Sequence, residues 1–85
     1  MTRPEVFALI DGEREYQEQR WDGHTHTPAE WLVYIRDYTE EALHWLSRED
    51  DRTAFPKVLA SIRKITSMGV AAMEEHGAPP RSTGV

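Results

Sequence analysis

The stretch that decides the fold is TPAEWLVYIRDYTEEALHWLSRE, residues 27–49. Its start carries two helix signals, because Thr27 and Glu30 have the spacing of a capping box and Pro28 occupies the first helical position. Apolar side chains then recur at the three- and four-residue spacing of one helix face. They are Trp31, Leu32, Ile35, Tyr38, Ala42, Trp45 and Leu46. The pattern predicts a central amphipathic helix on which the rest of the chain packs.

A second helix is predicted before this segment. Thr2 and Glu5 repeat the capping-box spacing, and the pattern indicates a helix over about residues 3–21. Gly12 falls in its interior, where glycine costs about 1 kcal/mol relative to alanine, so a kink or break is one alternative to a continuous helix. The polar connection DGHTH, residues 22–26, contains two histidines, which in such a loop are more typical of solvated side chains than of a metal or phosphate site.

A third helix is predicted after a charged turn. Either Asp51 or Thr53 can cap it, and Pro56 then falls in its first turn. Its apolar residues follow one face, which we expect to point inward. That face comprises Phe55, Leu59, Ile62, Ile65, Thr66, Gly69 and Met73. Gly77 is well placed to end the helix in a left-handed conformation, and the prolines that follow prevent its resumption.

These elements define an all-α fold. Residues 1–77 form a single three-helix domain in this interpretation, and residues 78–85 form a flexible tail. A chain of 85 residues buries only roughly 60% of the surface that its unfolded form exposes, so its core is small. We therefore expect the domain to complete its core by homo-oligomeric helix packing.

Composition narrows the classes of partner and compartment. The net charge of −5 argues against a general affinity for nucleic acid polymers or anionic membranes. The chain has no cysteine, which excludes disulfides, thiolate metal sites and cysteine nucleophiles. No segment has the apolar core of a signal peptide or approaches the roughly 20 apolar residues of a membrane-spanning helix. These features predict a cytoplasmic protein.

A polar stripe beside the apolar face of residues 27–49 contains candidate metal ligands. The candidates are Asp37, Glu40, Glu41 and His44. Glu41 and His44 have the Glu-x-x-His spacing that helical bundles use for metal ligation. Such a site needs further ligands from another helix or from a second copy of the chain. A solvated edge of the helix is the simpler interpretation.

Candidate ligand-binding residues lie on the first and third helices. Arg14, Gln17 and Trp21 follow one polar line of the first helix, which ends in an aromatic ring. Arg63 flanks the apolar face of the third helix, so its head can reach a bound phosphate or a carboxylate of another helix. Together these four residues supply arginines for phosphate and a ring for base stacking. The same residues would also build an ordinary buried polar network.

Two segments carry a family resemblance: EREYQEQRW, residues 13–21, and the closing helix, residues 62–81. With a histidine-containing loop and a helix bearing Glu40 and Glu41 between them, they resemble small bacteriophage and prophage proteins akin to the MazG-like all-α nucleotide pyrophosphohydrolases. The resemblance implies a self-associating helical fold that handles nucleoside phosphates. It also implies Mg²⁺ held by a Glu-x-x-Glu pair on one helix and a Glu-x-x-Asp pair on the next.

The chain departs from that family at the metal ligands. His44 stands at the second acidic position of the first pair, and the matching part of the third helix carries Arg63 and Lys64. Mg²⁺ prefers carboxylates and water, whereas basic side chains hold phosphate directly. We therefore expect a phage-type protein that binds a nucleotide or nucleotide signal without turnover and without a cofactor. By analogy, its purpose would be to sequester a defence-signalling nucleotide.

Two alternatives to this function remain open. One is a Mg²⁺-dependent nucleoside phosphate pyrophosphohydrolase of the MazG-like type, with Asp37, Glu40 and Glu41 as metal ligands and His44 beside them. The other is a helical module for protein–protein interaction that binds no nucleotide. The chain lacks a glycine-rich phosphate loop and a plausible Ser/His/Asp order, so triad hydrolysis has little support.

Overall fold

A computed structural model describes residues 1–21 and 23–82 of the chain. Over those ranges it contains three α-helices and no strand: α1 spans Arg3–Trp21, α2 spans Pro28–Arg48 and α3 spans Asp51–His76. The all-α prediction is therefore confirmed. Residues 78–82 are exposed and belong to no helix or strand, while residues 83–85 of the predicted tail lie outside the described residues.

The starts of α1 and α2 are set by reciprocal hydrogen bonds. At α2, the Glu30 N–H donates to the Thr27 hydroxyl at 3.1 Å and the Thr27 N–H donates to Glu30 Oε1 at 2.8 Å. Thr2 and Glu5 form the same arrangement at α1. The Thr27 N–H lowers the pKa of Glu30, and the Thr2 hydroxyl lowers the pKa of Glu5, because the carboxylate form accepts these bonds. Both predicted capping boxes are therefore present.

The start of α3 differs from the prediction. Its cap is Asp50, whose Oδ1 accepts a hydrogen bond from the Thr53 N–H at 3.0 Å, rather than Asp51 or Thr53. Pro56 consequently lies inside the helix, in its second turn. The end is as predicted: Gly77 has φ 81°, and its N–H donates to the Met73 carbonyl at 2.7 Å.

The central helix of the fold is α3, not α2. Trp31 near the start of α2 hydrogen-bonds Glu75 near the end of α3. Trp45 near the end of α2 makes a cation–π contact with Lys57 near the start of α3. The two helices therefore run antiparallel. α1 packs on another side of α3, whereas α1 and α2 do not pack along each other. The prediction that the chain packs around residues 27–49 is wrong.

Small side chains on α3 explain this arrangement. Ala54 and Ser67 are fully buried, and Ala71 is nearly so. Small residues on several sides of one helix allow two neighbours to approach it closely. The buried cluster is correspondingly compact. It consists of Trp31, Met68 and Ala71, with Trp21, Ile35, Tyr38 and Ala72 packed against it.

The face of α3 that was predicted to point inward lies largely on the surface. Phe55, Leu59, Ile62 and Met73 are 55%, 64%, 51% and 49% exposed. Leu32 of α2, also predicted to face inward, is 68% exposed. The helical period identified an apolar face, but it does not specify whether the rest of the chain covers that face. α3 instead turns its small residues toward its neighbours.

The interior glycines do not interrupt the helices. α1 continues through Gly12, and α3 continues through Gly69. A Cβ placed on either glycine would have nothing within 4 Å. Gly69 is therefore a tolerated glycine and not the site of a close helix approach. No helix in the described part of the chain is long and apolar enough to cross a membrane.

Candidate functional site

The four predicted ligand-binding residues occupy three different settings. Arg63 lines a cleft to which all three helices contribute. Arg14 and Trp21 line another cleft, near the connection between α1 and α2. Gln17 is buried, with 2% of its surface exposed. The structure therefore does not bring these four residues together at one site.

We call the cleft that contains Arg63 the tyrosine cleft. Its lining residues are Glu13, Tyr16, Tyr38, Glu41, Ala60, Ser61, Arg63 and Lys64. Its volume is about 430 Å³, within the roughly 300–1,000 Å³ typical of small-molecule sites. Two aromatic rings, two basic side chains and two carboxylates face the same space. The cleft thus combines ring surfaces with charged groups of both signs.

Arg63 is held in the tyrosine cleft by an ion pair with α1. Its Nε donates to Glu13 Oε1 at 2.8 Å. The Glu13 side chain is only 9% exposed, whereas that of Arg63 is 47% exposed. The terminal guanidinium nitrogens of Arg63 have no hydrogen-bond partner among the described residues. The buried carboxylate therefore orients the guanidinium while its outer donors remain available to an anion.

Lys64 supplies the second cation of the cleft. Its Nζ lies 4.6 Å from the centroid of the Tyr38 ring, a cation–π contact that keeps the ammonium group beside the opening. The Gln17 amide fixes the backbone at this point, since its Nε2 donates to the Lys64 carbonyl at 3.2 Å. Gln17 Oε1 is buried and has no partner among the described residues. Gln17 thus supports the cleft from beneath and does not reach into it.

Tyr16 is the ring that a ligand can reach most easily. It is 54% exposed, and the guanidinium of Arg20 lies 5.7 Å from its ring centroid. Tyr38 is half-buried, and its ring is already in cation–π contact with Lys64. Neither tyrosine was among the predicted ligand-binding residues. Tyr16 adjoins Gln17 in sequence, but only the packing of three helices places it opposite Arg63.

Trp21, the predicted stacking ring, lies in an aromatic cluster at the C-terminal end of α1. Its ring centroid is 6.0 Å from that of Trp31. His26 is 4.9 Å from both the Trp31 and the Tyr34 rings, with edge-on geometry. The interpretation of both loop histidines as solvated is therefore wrong for His26, which is half-buried, and only His24 is exposed.

Glu75, near the end of α3, hydrogen-bonds this cluster. Its Oε2 accepts a hydrogen bond from the Trp31 indole N–H at 2.7 Å, and its Oε1 accepts one from the His26 backbone N–H at 2.9 Å. The hydrogen bond from the Trp31 indole is the main cause that lowers the pKa of Glu75. Partial desolvation acts in the opposite direction, and the His26 N–H and the nearby His76 lower the pKa further. Sequence reasoning missed this role, because no local spacing along the chain relates Glu75 to Trp31 or to His26.

The surroundings of Trp21 do not suit a phosphate. Three carboxylates line the cleft beside it: Glu18, Glu74 and Glu75. The one arginine there, Arg14, is ion-paired with Glu74. Because carboxylates outnumber cations in this cleft, an anionic ligand would be repelled from it.

The predicted metal ligands are also dispersed. Asp37 pairs with its neighbour Arg36 at 3.3 Å, and Glu40 and His44 are exposed. Only Glu41 of the four lines the tyrosine cleft, where it faces the same space as Glu13. No group of three or more histidine, aspartate or glutamate side chains within the described ranges is arranged to hold a metal ion. These donors do not fit the carboxylate-rich Mg²⁺ site that the resemblance implies.

The geometry defines the class of the protein as a small three-helix domain with a tyrosine-lined cleft of mixed charge. No protein-family model, curated protein or solved structure matches the chain. The similarity to phage proteins of the MazG-like type stays a prediction.

Proposed function

We propose that the protein binds a small ligand of nucleotide size in the tyrosine cleft and releases it unchanged. The observation that supports this is the presence of Arg63 and Lys64 in one cleft with Tyr16 and Tyr38. Guanidinium and ammonium groups bind phosphate oxygens, and a tyrosine ring stacks on a base. A nucleotide carries both a phosphate and a base. By analogy with phage proteins, binding without turnover would suit sequestration of a signalling nucleotide.

The charge of the cleft selects among nucleotides. Glu13 and Glu41 balance Arg63 and Lys64, so the lining is close to neutral. The whole chain carries a net charge of −5, which adds a repulsion that grows with the charge of the ligand. We therefore propose a ligand with one or two negative charges, such as a nucleoside monophosphate or a cyclic nucleotide, in preference to a triphosphate.

Binding at this site does not require the Arg63–Glu13 pair to break. Arg63 uses Nε for Glu13 and presents its terminal nitrogens outward. Lys64 contacts a ring and not a carboxylate in the described structure, so its three donors are available. A phosphate can therefore bind both cations while Glu13 keeps its partner. The arrangement avoids the cost of leaving a buried carboxylate unpaired.

Titration calorimetry with nucleoside mono-, di- and triphosphates and cyclic nucleotides, with and without Mg²⁺, tests the proposal. Lys64→Gln removes a charge-assisted hydrogen bond, typically worth roughly 1.5–3 kcal/mol, so we expect affinity to fall at least about tenfold. Arg14→Gln is the matched control, because Arg14 lies outside the tyrosine cleft. It should leave the affinity unchanged. Absence of binding by every nucleotide at millimolar concentration would contradict the proposal and favour an interaction module.

Glu41 separates binding from catalysis. If the ligand is bound without turnover, Glu41→Gln removes a negative charge from the cleft and should strengthen binding several-fold. If the protein is a Mg²⁺-dependent pyrophosphohydrolase, the same change removes a metal ligand and should abolish pyrophosphate release. Pyrophosphate release by the unaltered protein that Glu41→Gln eliminates would establish the enzymatic alternative.

A further inference from the structure

An apolar groove lies between the first half of α1 and the first half of α3, and we call it the α1–α3 face. Its main lining residues are Val6, Leu9, Ile10, Pro56, Leu59 and Ile62. The groove has a volume of about 500 Å³. Among the described residues, the only charged side chain that lines the groove is that of Arg63, at its edge, which is already paired with Glu13. The side chains of the face are therefore mainly apolar.

Large side chains on this face are exposed to an unusual degree. Leu59 is 64% exposed, Ile62 is 51% exposed and Leu9 is 49% exposed. Phe55, 55% exposed, continues the same stripe of α3, because residues 55, 59 and 62 share one side of a helix. Contiguous apolar surface of this kind marks an interaction site in water-soluble domains.

The total exposed surface area of the chain indicates how much surface a partner could bury. The chain has a mass of 9.8 kDa and exposes 6776 Å². A compact monomer of that mass exposes about 5,200 Å². The excess is therefore roughly 1,600 Å², to which residues 78–82, exposed and outside any helix, contribute. A standard interface buries about 800 Å² on each partner, so the excess is enough for one interface per chain.

We propose that a second copy of this chain covers the α1–α3 face, with the two α3 stripes packed antiparallel about a two-fold axis near Leu59. In this pairing Phe55 of each copy lies near Ile62 of the other, as an isologous contact requires. Charge favours a second copy here in particular. The chain has a net charge of −5, yet none of the described residues that line the groove is an aspartate or glutamate. Two copies can therefore meet there without close repulsion between carboxylates. The proposal does not require a ligand in the tyrosine cleft, although Arg63 lines both the cleft and the edge of this groove.

Native mass and cross-linking test the dimer. Sedimentation equilibrium of the full chain at micromolar concentration should give twice 9.8 kDa. Leu59→Glu places two carboxylates at the axis and should weaken association at least about a hundredfold while circular dichroism shows that the helices remain. Leu32→Glu is the matched control, since Leu32 is equally exposed apolar surface on α2, 68% exposed, and should leave the dimer intact.

Cysteine chemistry gives a second readout that does not depend on disrupting the interface. The chain has no cysteine, so Leu59→Cys introduces a single thiol. Across a two-fold axis the two thiols are close, and mild oxidation should give a covalent dimer in high yield, whereas Leu32→Cys should give little. A monomeric wild-type protein, a native mass above that of a dimer, or equal cross-linking at the two positions would overturn the proposal.

Discussion

Among single residues, Glu75 has the clearest effect on the fold. Both of its oxygens are engaged, one by the Trp31 indole and the other by the His26 backbone. These bonds join the connection between α1 and α2 to the last turns of α3. Because each bond is to the ionised form, the folded state holds the carboxylate charged more strongly than the unfolded state does. The stability of this end of the domain therefore depends on pH.

We expect acid to remove the contribution of Glu75. Its pKa in the folded protein is lowered from the ordinary value of 4.5. Its stabilisation is thus fully present above that value and is lost as the pH falls through the lower folded pKa. Glu75→Gln should unfold at lower urea concentration than wild type at pH 7, and the difference should shrink toward pH 3. Glu15→Gln, at an exposed position, is the control; a difference that stays constant with pH would contradict the assignment.

At the scale of the helices, the arrangement follows from the small residues of α3. Ala54, Ser67 and Ala71 allow α1 and α2 to approach it. The larger apolar residues of the same helix remain outside. The two glycines of this segment have different roles. Gly69 is an ordinary residue inside α3, whereas Gly77 ends the helix with φ 81°.

Alanine substitutions should distinguish these glycines. Gly12→Ala and Gly69→Ala should each raise the free energy of unfolding by about 0.5–1 kcal/mol, because alanine loses less backbone entropy and its Cβ meets nothing within 4 Å. Gly77→Ala should lower it, since a Cβ strains a positive-φ conformation. Urea unfolding measures all three. Destabilisation by Gly69→Ala would show that another helix does approach α3 at that point.

For the molecule as a whole, the buried core is small for its surface. The Cα radius of gyration is 14.5 Å, compared with about 12 Å for a compact chain of this length. Few large side chains are fully buried: Met68 is the largest below 2% exposure among the described residues. If a second copy covers the α1–α3 face, as we propose, association and folding of such a domain are linked.

The melting temperature should therefore depend on protein concentration. When association and folding are linked, dilution favours dissociation and unfolding by mass action, so Tm should fall by several degrees between 100 μM and 1 μM. Leu59→Glu should melt at a lower temperature that does not change with concentration. Differential scanning fluorimetry across a dilution series measures both. A concentration-independent Tm for wild type would mean that the helices are stable without a second copy.

The sequence predicted much of the fold and little of the site. Thr27, Glu30 and Gly77 marked helix ends correctly, and the Arg63–Glu13 ion pair is one of the two interpretations that the sequence left open for Arg63. The partners of Arg63 in its cleft, Tyr16 and Tyr38, were not predicted. They lie far from it in the chain, and no local spacing relates them.

The sequence by itself determined the three helices and their ends except the start of α3, because capping bonds and helix-breaking residues act within a few positions along the chain. Only the tertiary structure decided that α3 is central, that its larger apolar stripe faces outward, and which charged groups share the tyrosine cleft. The physical reason is that a helical period specifies a face but not its partner. The choice of partner depends on how closely small side chains let helices approach, which is a property of the packed molecule.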